Sequence, residues 1–349
     1  MPSSPHRSPP SRPASLSRRQ WLQASGGAAL LASGWSTGHA AQPLPGASTV
    51  DLSGVTLRIA VYKGGQQTLL QAASLADTPY RIEWKEFNSG VLHIEAINGD
   101  ALDVGSGSEI PPVFAARAKS PVRVIAVYHE DLNNQGTFVP KDSTVRSVAE
   151  LRGKRVGYVR GTTAHYYLYK QLAEAGLGFN DIKAINLTPA DGLSAFARGD
   201  LDAWAIWGYN GQLARTRYNA RTLKTGVGYL SGNFLIYGNP KAIADPLRHA
   251  AIADYLQRLQ RAYVWSNANY RTYAEAQSKE TRVPVGDILE LYNNRSQDSS
   301  LVAADEAAIR SHQQVADVFQ KIGVLDGPAD VRPLWDRSFD KALQRASAA

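Results

Sequence analysis

From residue 55 onward, short apolar runs alternate with helical ones, and the turns joining each strand to the next helix are built from Gly, Ser, Thr and Asn. Residues 55–61 precede a helical run at 66–76, 80–87 precede 90–98, 102–105 precede 111–118, and 122–128 close the set. Strand-helix alternation of this kind predicts parallel sheets covered by helices, because each crossover must return the chain to the end from which it started. Arg81, Glu83 and Lys85 alternate with Ile82 and Trp84, the pattern of an edge or half-covered strand. Residues 137–140 read as a strand leaving this set. After a short helix at 147–151 the pattern restarts with strands at 155–159, 182–187 and 203–207 and helices after His165 and at 192–198. Another apolar run at 233–237 is followed by helices at 246–265, 267–278 and 304–322. A first lobe, residues 51–140 plus 233–349, interrupted by a second, residues 141–232, accounts for this order, with two crossing strands as the hinge.

Residues 1–50 contain no acidic residue, and Arg7, Arg12, Arg18 and Arg19 precede an uncharged stretch. The arginine pair sits directly before a modestly apolar run, so Ser17-Arg-Arg-Gln-Trp-Leu22 resembles a bacterial twin-arginine export signal. The run is too short and too polar for a membrane helix. The small residues Gly38 and Ala40 flank His39 in a cleavage-site pattern, so residues 1–40 are expected to be a signal peptide and 41–50 a flexible leader. The implied destination is the periplasm, reached through the twin-arginine export machinery. Without the four signal arginines the formal charge falls from +7 to +3, too little to argue for a nucleic-acid partner. The absence of cysteine excludes disulfides, a thiol nucleophile and thiolate metal sites, and the seven histidines show no metal-ligand spacing. No metal and no cofactor is expected.

In a two-lobed α/β protein the ligand belongs between the lobes, where strand ends and helix starts converge. Gly161, Thr162 and Thr163 break a strand directly into a helix. The first amides of a helix lack intrahelical partners and carry the positive end of its dipole, so this turn suits an anion; it is also how an ordinary helix is capped. Residues 63–66, 88–90, 105–109 and 188–191 repeat the arrangement.

The stretches at 102–112, 148–156, 161–166 and 189–204 together resemble the periplasmic substrate-binding proteins of aliphatic sulfonate, taurine and nitrate ABC importers, a likeness spanning residues 55–275. The resemblance implies a type II periplasmic-binding-protein fold, two α/β lobes joined by a two-strand hinge. It also implies a small sulfonate-like anion as ligand, delivery to an ABC permease and its ATPase in the inner membrane, and a monomer without catalytic residues. By position it puts Gln66, Ser108, Glu109, Thr162, Thr163 and His165 in the ligand loops, with Asp191 and Trp207 on the facing wall. His165 either donates to the anion or packs between the lobes, and Trp207 is either a wall for the ligand's tail or core. The chain departs from the family where Gly208 and Tyr209 follow Trp207 in place of Asp-Pro, and where Glu109 stands in the loop after Ser108. A carboxylate facing a sulfonate is repulsive, so Glu109 points away, caps its helix or meets an amine on a zwitterionic ligand. The competing functions are an enzyme on the same fold acting on a sulfinate or similar small molecule, and a ligand-sensing periplasmic protein.

Overall fold

The computed structural model describes residues 50–347; the expected signal peptide, and all of the leader except Val50, lie outside them. The chain first forms β1 (Thr56–Val61), α1 (Gln66–Ala72), β2 (Arg81–Glu86), α2 (Gly90–Asn98), β3 (Val104–Ser108), α3 (Pro111–Arg117) and β4 (Arg123–His129). Next come β5 (Gln135–Val139), a 3₁₀ turn at Val148–Leu151, β6 (Arg155–Tyr158), α4 (Thr163–Glu174), a second 3₁₀ turn at Phe179–Asp181, β7 (Lys183–Asn186), α5 (Pro189–Ala197), β8 (Ala203–Trp207), α6 (Gly208–Tyr218) and β9 (Arg221–Thr225). The last part holds β10 (Asn233–Gly238), α7 (Pro240–Ala244), α8 (Pro246–Ala268), α9 (Tyr270–Thr281), α10 (Val285–Asn293), β11 (Ser300–Val302), α11 (Glu306–Lys321) and α12 (Asp340–Ser347).

Two sheets result, a six-stranded one in the order β11-β4-β10-β3-β1-β2 and a five-stranded one in the order β7-β6-β8-β5-β9. The alternation predicted parallel sheets, and both are mixed. β10 runs antiparallel between β3 and β4, β11 antiparallel along β4, and β5 antiparallel between β8 and β9. The reason lies in the connections. β5 and β10 each arrive from the other sheet by a short segment without a helical crossover, residues 130–134 and 226–232. A strand arriving that way enters at the end where the parallel strands finish, and so runs against them. β5 therefore already belongs to the second sheet, and the sheet-to-sheet break expected after residue 140 falls ahead of residue 135.

Packing follows the two periodicities. On α8, Ile252, Tyr255, Leu256, Leu259 and Tyr263 recur every third or fourth residue and are buried against Leu57, Ile59 and Ile236 of the larger sheet. Asp245 starts this helix by accepting hydrogen bonds from the amides of Leu247 and Arg248, both at 3.0 Å. In the smaller sheet Tyr167, Leu168 and Leu172 of α4 cover Val156 and Ala203 on one face, while Trp204 and Phe196 pack on the other. A Cβ on Gly192 would sit 2.6 Å from Trp204 Nε1, so only glycine lets α5 approach the sheet this closely.

Each sheet is fixed near the start of its central strands by the same ionic clamp. In the larger sheet Arg58 of β1 donates its backbone amide, Nε and Nη2 to the Asp103 carboxylate at 2.8, 3.1 and 2.7 Å. In the smaller one Arg155 of β6 does the same to Asp202 at 2.7, 3.2 and 2.9 Å. In both cases the aspartate's own amide returns to the arginine carbonyl at 2.8 Å, and the next residues pair in parallel, Ile59 with Val104 and Val156 with Ala203. Asp103 is the more deeply enclosed, with a side chain 1% exposed against 32% for Asp202. Removing Asp103 empties a fully enclosed site and leaves Arg58, 28% exposed, with only Asp100 as an acidic partner among the described residues, whereas water reaches Arg155, 43% exposed, more readily. Asp103→Ala should therefore cost about 3–5 kcal/mol in urea unfolding and Asp202→Ala only about 1–2 kcal/mol; equal losses would refute the burial argument.

Candidate functional site

Loops from both sheets and from the C-terminal helices enclose a cavity of about 320 Å³. From the larger sheet it receives Gln66, Ser108 and the first residue of α2, Gly90; from the smaller sheet, Thr162, Thr163, Trp207 and Asn210. Three of these helix starts have no side-chain cap: α1, whose N-cap is Gly65, and α4 and α6. Thr162 is the N-cap of α4 and Trp207 that of α6, and neither side chain bonds to its helix amides. α2 differs, because the Ser89 hydroxyl accepts from the Val91 amide at 3.2 Å. The positive ends of α4 and α6 thus face one enclosed space; the first amide of α6, Gly208, is taken by the Asn134 carbonyl at 2.9 Å, and the amides that follow it have no side-chain cap, an arrangement suited to an anion.

Gly161 gives α4 its abrupt start. Its φ of +73° lies in the left-handed region, which turns the chain from the end of β6 directly into the helix. The Thr162 hydroxyl donates to the Val159 carbonyl at 2.7 Å and so braces this turn. The Thr163 hydroxyl, on a residue 7% exposed, bonds to no other described residue, and the same holds for the buried Asn210 amide. Gln66 is oriented by Tyr255, whose hydroxyl donates to Gln66 Oε1 at 2.9 Å, so that the Gln66 amide nitrogen is the donor, directed toward the Tyr263 hydroxyl. Ser108 accepts a long bond from the Ile110 amide at 3.4 Å and keeps its own hydroxyl proton available.

Of the eight residues singled out from sequence, Gln66, Ser108, Thr162, Thr163 and Trp207 line this cavity, and Glu109, His165 and Asp191 do not. Glu109 turns away and is buried where it accepts from the Ser231 hydroxyl at 2.6 Å and the Ser311 hydroxyl at 3.0 Å. It does not cap α3, whose N-cap is Ile110. His165 is packed among Tyr158, Phe179 and Phe319 and accepts at Nδ1 from the Gly161 amide at 3.3 Å. Burial, reinforced by Arg160, lowers it to about 4, so the ring is neutral and helps hold the turn beneath α4. Asp191 is exposed on α5 and bonds only to Thr188, whose hydroxyl donates to its carboxylate at 2.7 Å and accepts from its amide at 3.2 Å.

Sequence reasoning missed the remaining wall. Tyr62, Tyr128, Tyr263, Tyr273 and Tyr292 face the cavity, as does Glu130. The tyrosines of α8, α9 and α10 look from sequence like any buried aromatic at helical spacing. Glu130 did carry a signal: it follows a strand of apolar residues at the same sheet end as the other binding loops.

An enclosed space between two α/β sheets, lined by donor groups from both, is where binding proteins of the periplasmic type hold their ligands. The comparisons with known proteins agree. A family model described as "NMT1/THI5 like" matches residues 82–243. A relative from Escherichia coli (strain K12), named "Putative aliphatic sulfonates-binding protein", is 30% identical over 286 residues, which cover 80% of this chain and 88% of the relative. The crystal structure of the periplasmic aliphatic sulphonate binding protein from Escherichia coli superimposes with a TM-score of 0.71 at 28% identity, covering 81% of this chain and 92% of that one. The alkanesulfonate-binding protein from Xanthomonas axonopodis pv. citri bound to MOPS gives 0.72 at 27% identity, covering 81% and 98%. The chain belongs to the family of periplasmic binding proteins that these relatives represent.

Glu109 offers a test of what burial does to a carboxyl that is turned away from the cavity. Burial raises its carboxyl from the ordinary 4.5 to about 7, against the opposing bonds from Ser231 and Ser311. A raised carboxyl contributes stability that is fully present below the unfolded value and is lost as pH climbs through the folded one. Between pH 4.5 and about 7 the native protein should lose stability relative to Glu109→Gln, by up to about 3 kcal/mol, because the amide cannot ionise. Urea unfolding of both proteins across that range provides the measurement, and a pH-independent difference would contradict it. His93, His165 and His312, all lowered by burial, act in the opposite direction and cancel in the comparison.

Proposed function

We infer that this protein is the solute-binding component of an ABC importer, holding a small organic anion of the aliphatic sulfonate class between two lobes for delivery to a membrane permease driven by its ATPase. The observation that carries this reading is the pair of uncapped helix starts, α4 and α6, on one cavity with the unpartnered Thr163 hydroxyl and Asn210 amide beside them. A sulfonate offers three acceptor oxygens and remains ionised at any physiological pH, which suits several fixed donors. Family membership, and the names of the relatives, support the same class of ligand. Charge-assisted hydrogen bonds of about 1.5–3 kcal/mol each, less the entropy of immobilisation, reach the roughly 8 kcal/mol of micromolar affinity.

The lobes would comprise the two sheets with their helices, hinged at the connections 130–134 and 226–232. Holding is the chemistry favoured over turnover, since the chain has no cysteine and its one histidine near the anion-binding turn, His165, is packed away from the cavity. The periplasm is the expected location, with residues 1–40 as a twin-arginine signal; no described helix is long and apolar enough to cross a membrane. A monomer suits one-to-one presentation to a permease.

Mature protein should melt several degrees higher in saturating alkanesulfonate, since ligand at 100 times Kd adds about 2.7 kcal/mol. Thr163→Val, which keeps the shape and removes the hydroxyl, should weaken binding about tenfold or more, while Asp191→Asn leaves it unchanged. Absence of any shift with sulfonates, sulfate esters and nitrate would overturn the assignment.

A further inference from the structure

Glu130 and Asp131 are adjacent acids at the end of β4, and the fold uses only one of them. Asp131 is saturated, accepting from the amides of Asn133, Asn134 and Ser296 at 2.8, 3.0 and 2.8 Å and from the Ser296 hydroxyl at 3.0 Å. Glu130 turns into the cavity, where its carboxylate has one long bond, from the Tyr263 hydroxyl at 3.3 Å. Among the described residues no basic side chain pairs with it. Arg295, also on the cavity wall, is held by Asp298 at 2.7 Å, and Lys63 is exposed. The other charge acting on Glu130 is that of Asp131, which has the same sign.

An enclosed carboxylate without a cation is costly, and its surroundings show the strain. Burial first, and Asp131 second, raise Glu130 to about 7, with the Tyr263 bond opposing. Its charge in turn acts on Tyr62, Tyr128, Tyr263, Tyr273 and Tyr292, all of which line the same cavity and are raised mainly by their own burial. Tyr128 is stacked on Tyr263, with ring centroids 6.0 Å apart and planes at 13°, so part of this wall presents flat aromatic surface. Phenol rings around a carboxylate form the environment that attracts an ammonium group, through the negative ring faces and the ion pair together. A plain alkyl tail has no use for the acid, and a second anionic group would be repelled by it.

We propose that Glu130, within its ring of tyrosines, is a specificity-determining residue that selects anions bearing a protonated amine on the tail, making aminoalkanesulfonates the preferred class. This rests on the anion-binding reading above: the uncapped starts of α4 and α6 take the acidic head, and Glu130 takes the cationic end. The ligand supplies the partner that the fold withholds.

Calorimetric titration of the mature protein with propanesulfonate and with its terminal-amine analogue tests this, at about pH 8, where Glu130 is ionised and the amine remains protonated. The aminopropanesulfonate should bind about tenfold tighter or more, and Glu130→Gln should abolish that preference while propanesulfonate binds as well as before or better. Equal affinities in the wild-type protein, a preference for the uncharged tail, or a preference that survives Glu130→Gln would overturn the proposal. Should Glu130→Gln fail to fold, the wild-type comparison decides alone. Binding of propanesulfonate without discrimination removes only the role of Glu130, whereas binding of neither removes the anion-binding reading and this inference with it.

Discussion

The pairing of an arginine on one strand with an aspartate on its parallel neighbour sets the level at which each sheet is assembled. Parallel strands are not joined by a tight turn, so nothing local fixes their relative height; a long crossover would tolerate sliding. Arg58 with Asp103, and Arg155 with Asp202, remove that freedom, because a bidentate guanidinium and two backbone bonds are satisfied at only one register. With their starts locked, β1 and β3 in one sheet and β6 and β8 in the other finish at defined heights. The loops that leave those ends carry Gln66, Ser108, Thr162 and Trp207 to a common space.

That space is defined as much by the two returning strands. β5 and β10 enter at the binding end of their sheets, and of the segments before them, 130–134 and 226–232, the first contributes to the cavity wall. One of these segments supplies Glu130, and the other supplies Ser231, which holds Glu109 away from the cavity together with Ser311 of α11. Two acids after strand ends thus have opposite fates. Hydroxyl donors from two elements occupy Glu109, and Glu130 is left facing open space. The starts of α4 and α6 make the head end of the cavity electrically positive, and the tyrosine-lined part carries the Glu130 carboxylate.

Much of the fold was legible in the sequence. The helices at Gly90–Asn98 and Pro189–Ala197 start directly after Ser89 and Thr188, and such signals depend on neighbours a few residues apart. The helix Gly208–Tyr218 was not legible, since Gly208, Tyr209 and Asn210 resemble a loop and the helix has almost no one-sided apolar pattern; it is held by contact with α10, where Gln212 donates to the Asp287 carbonyl at 3.0 Å. The antiparallel courses of β5 and β10 escaped for a related reason: direction within a sheet depends on which end a strand enters, and side-chain alternation does not record it. At the site, the turn at Gly161–Thr163 was visible as a helix start. The separation of Thr163 from His165, two residues apart but facing a cavity and a packed aromatic cluster respectively, was not.

The sequence by itself determined the alternating elements, the polar helix starts that make an anion site possible, and the family likeness, because each is written in local order and residue type. Only the tertiary structure decided which starts are uncapped and share a cavity, that Glu109 and His165 are internal supports, and that tyrosines from three distant helices surround Glu130. Those outcomes depend on which groups find partners across long sequence separations, and a carboxylate's role follows from the donors that reach it after the chain has packed.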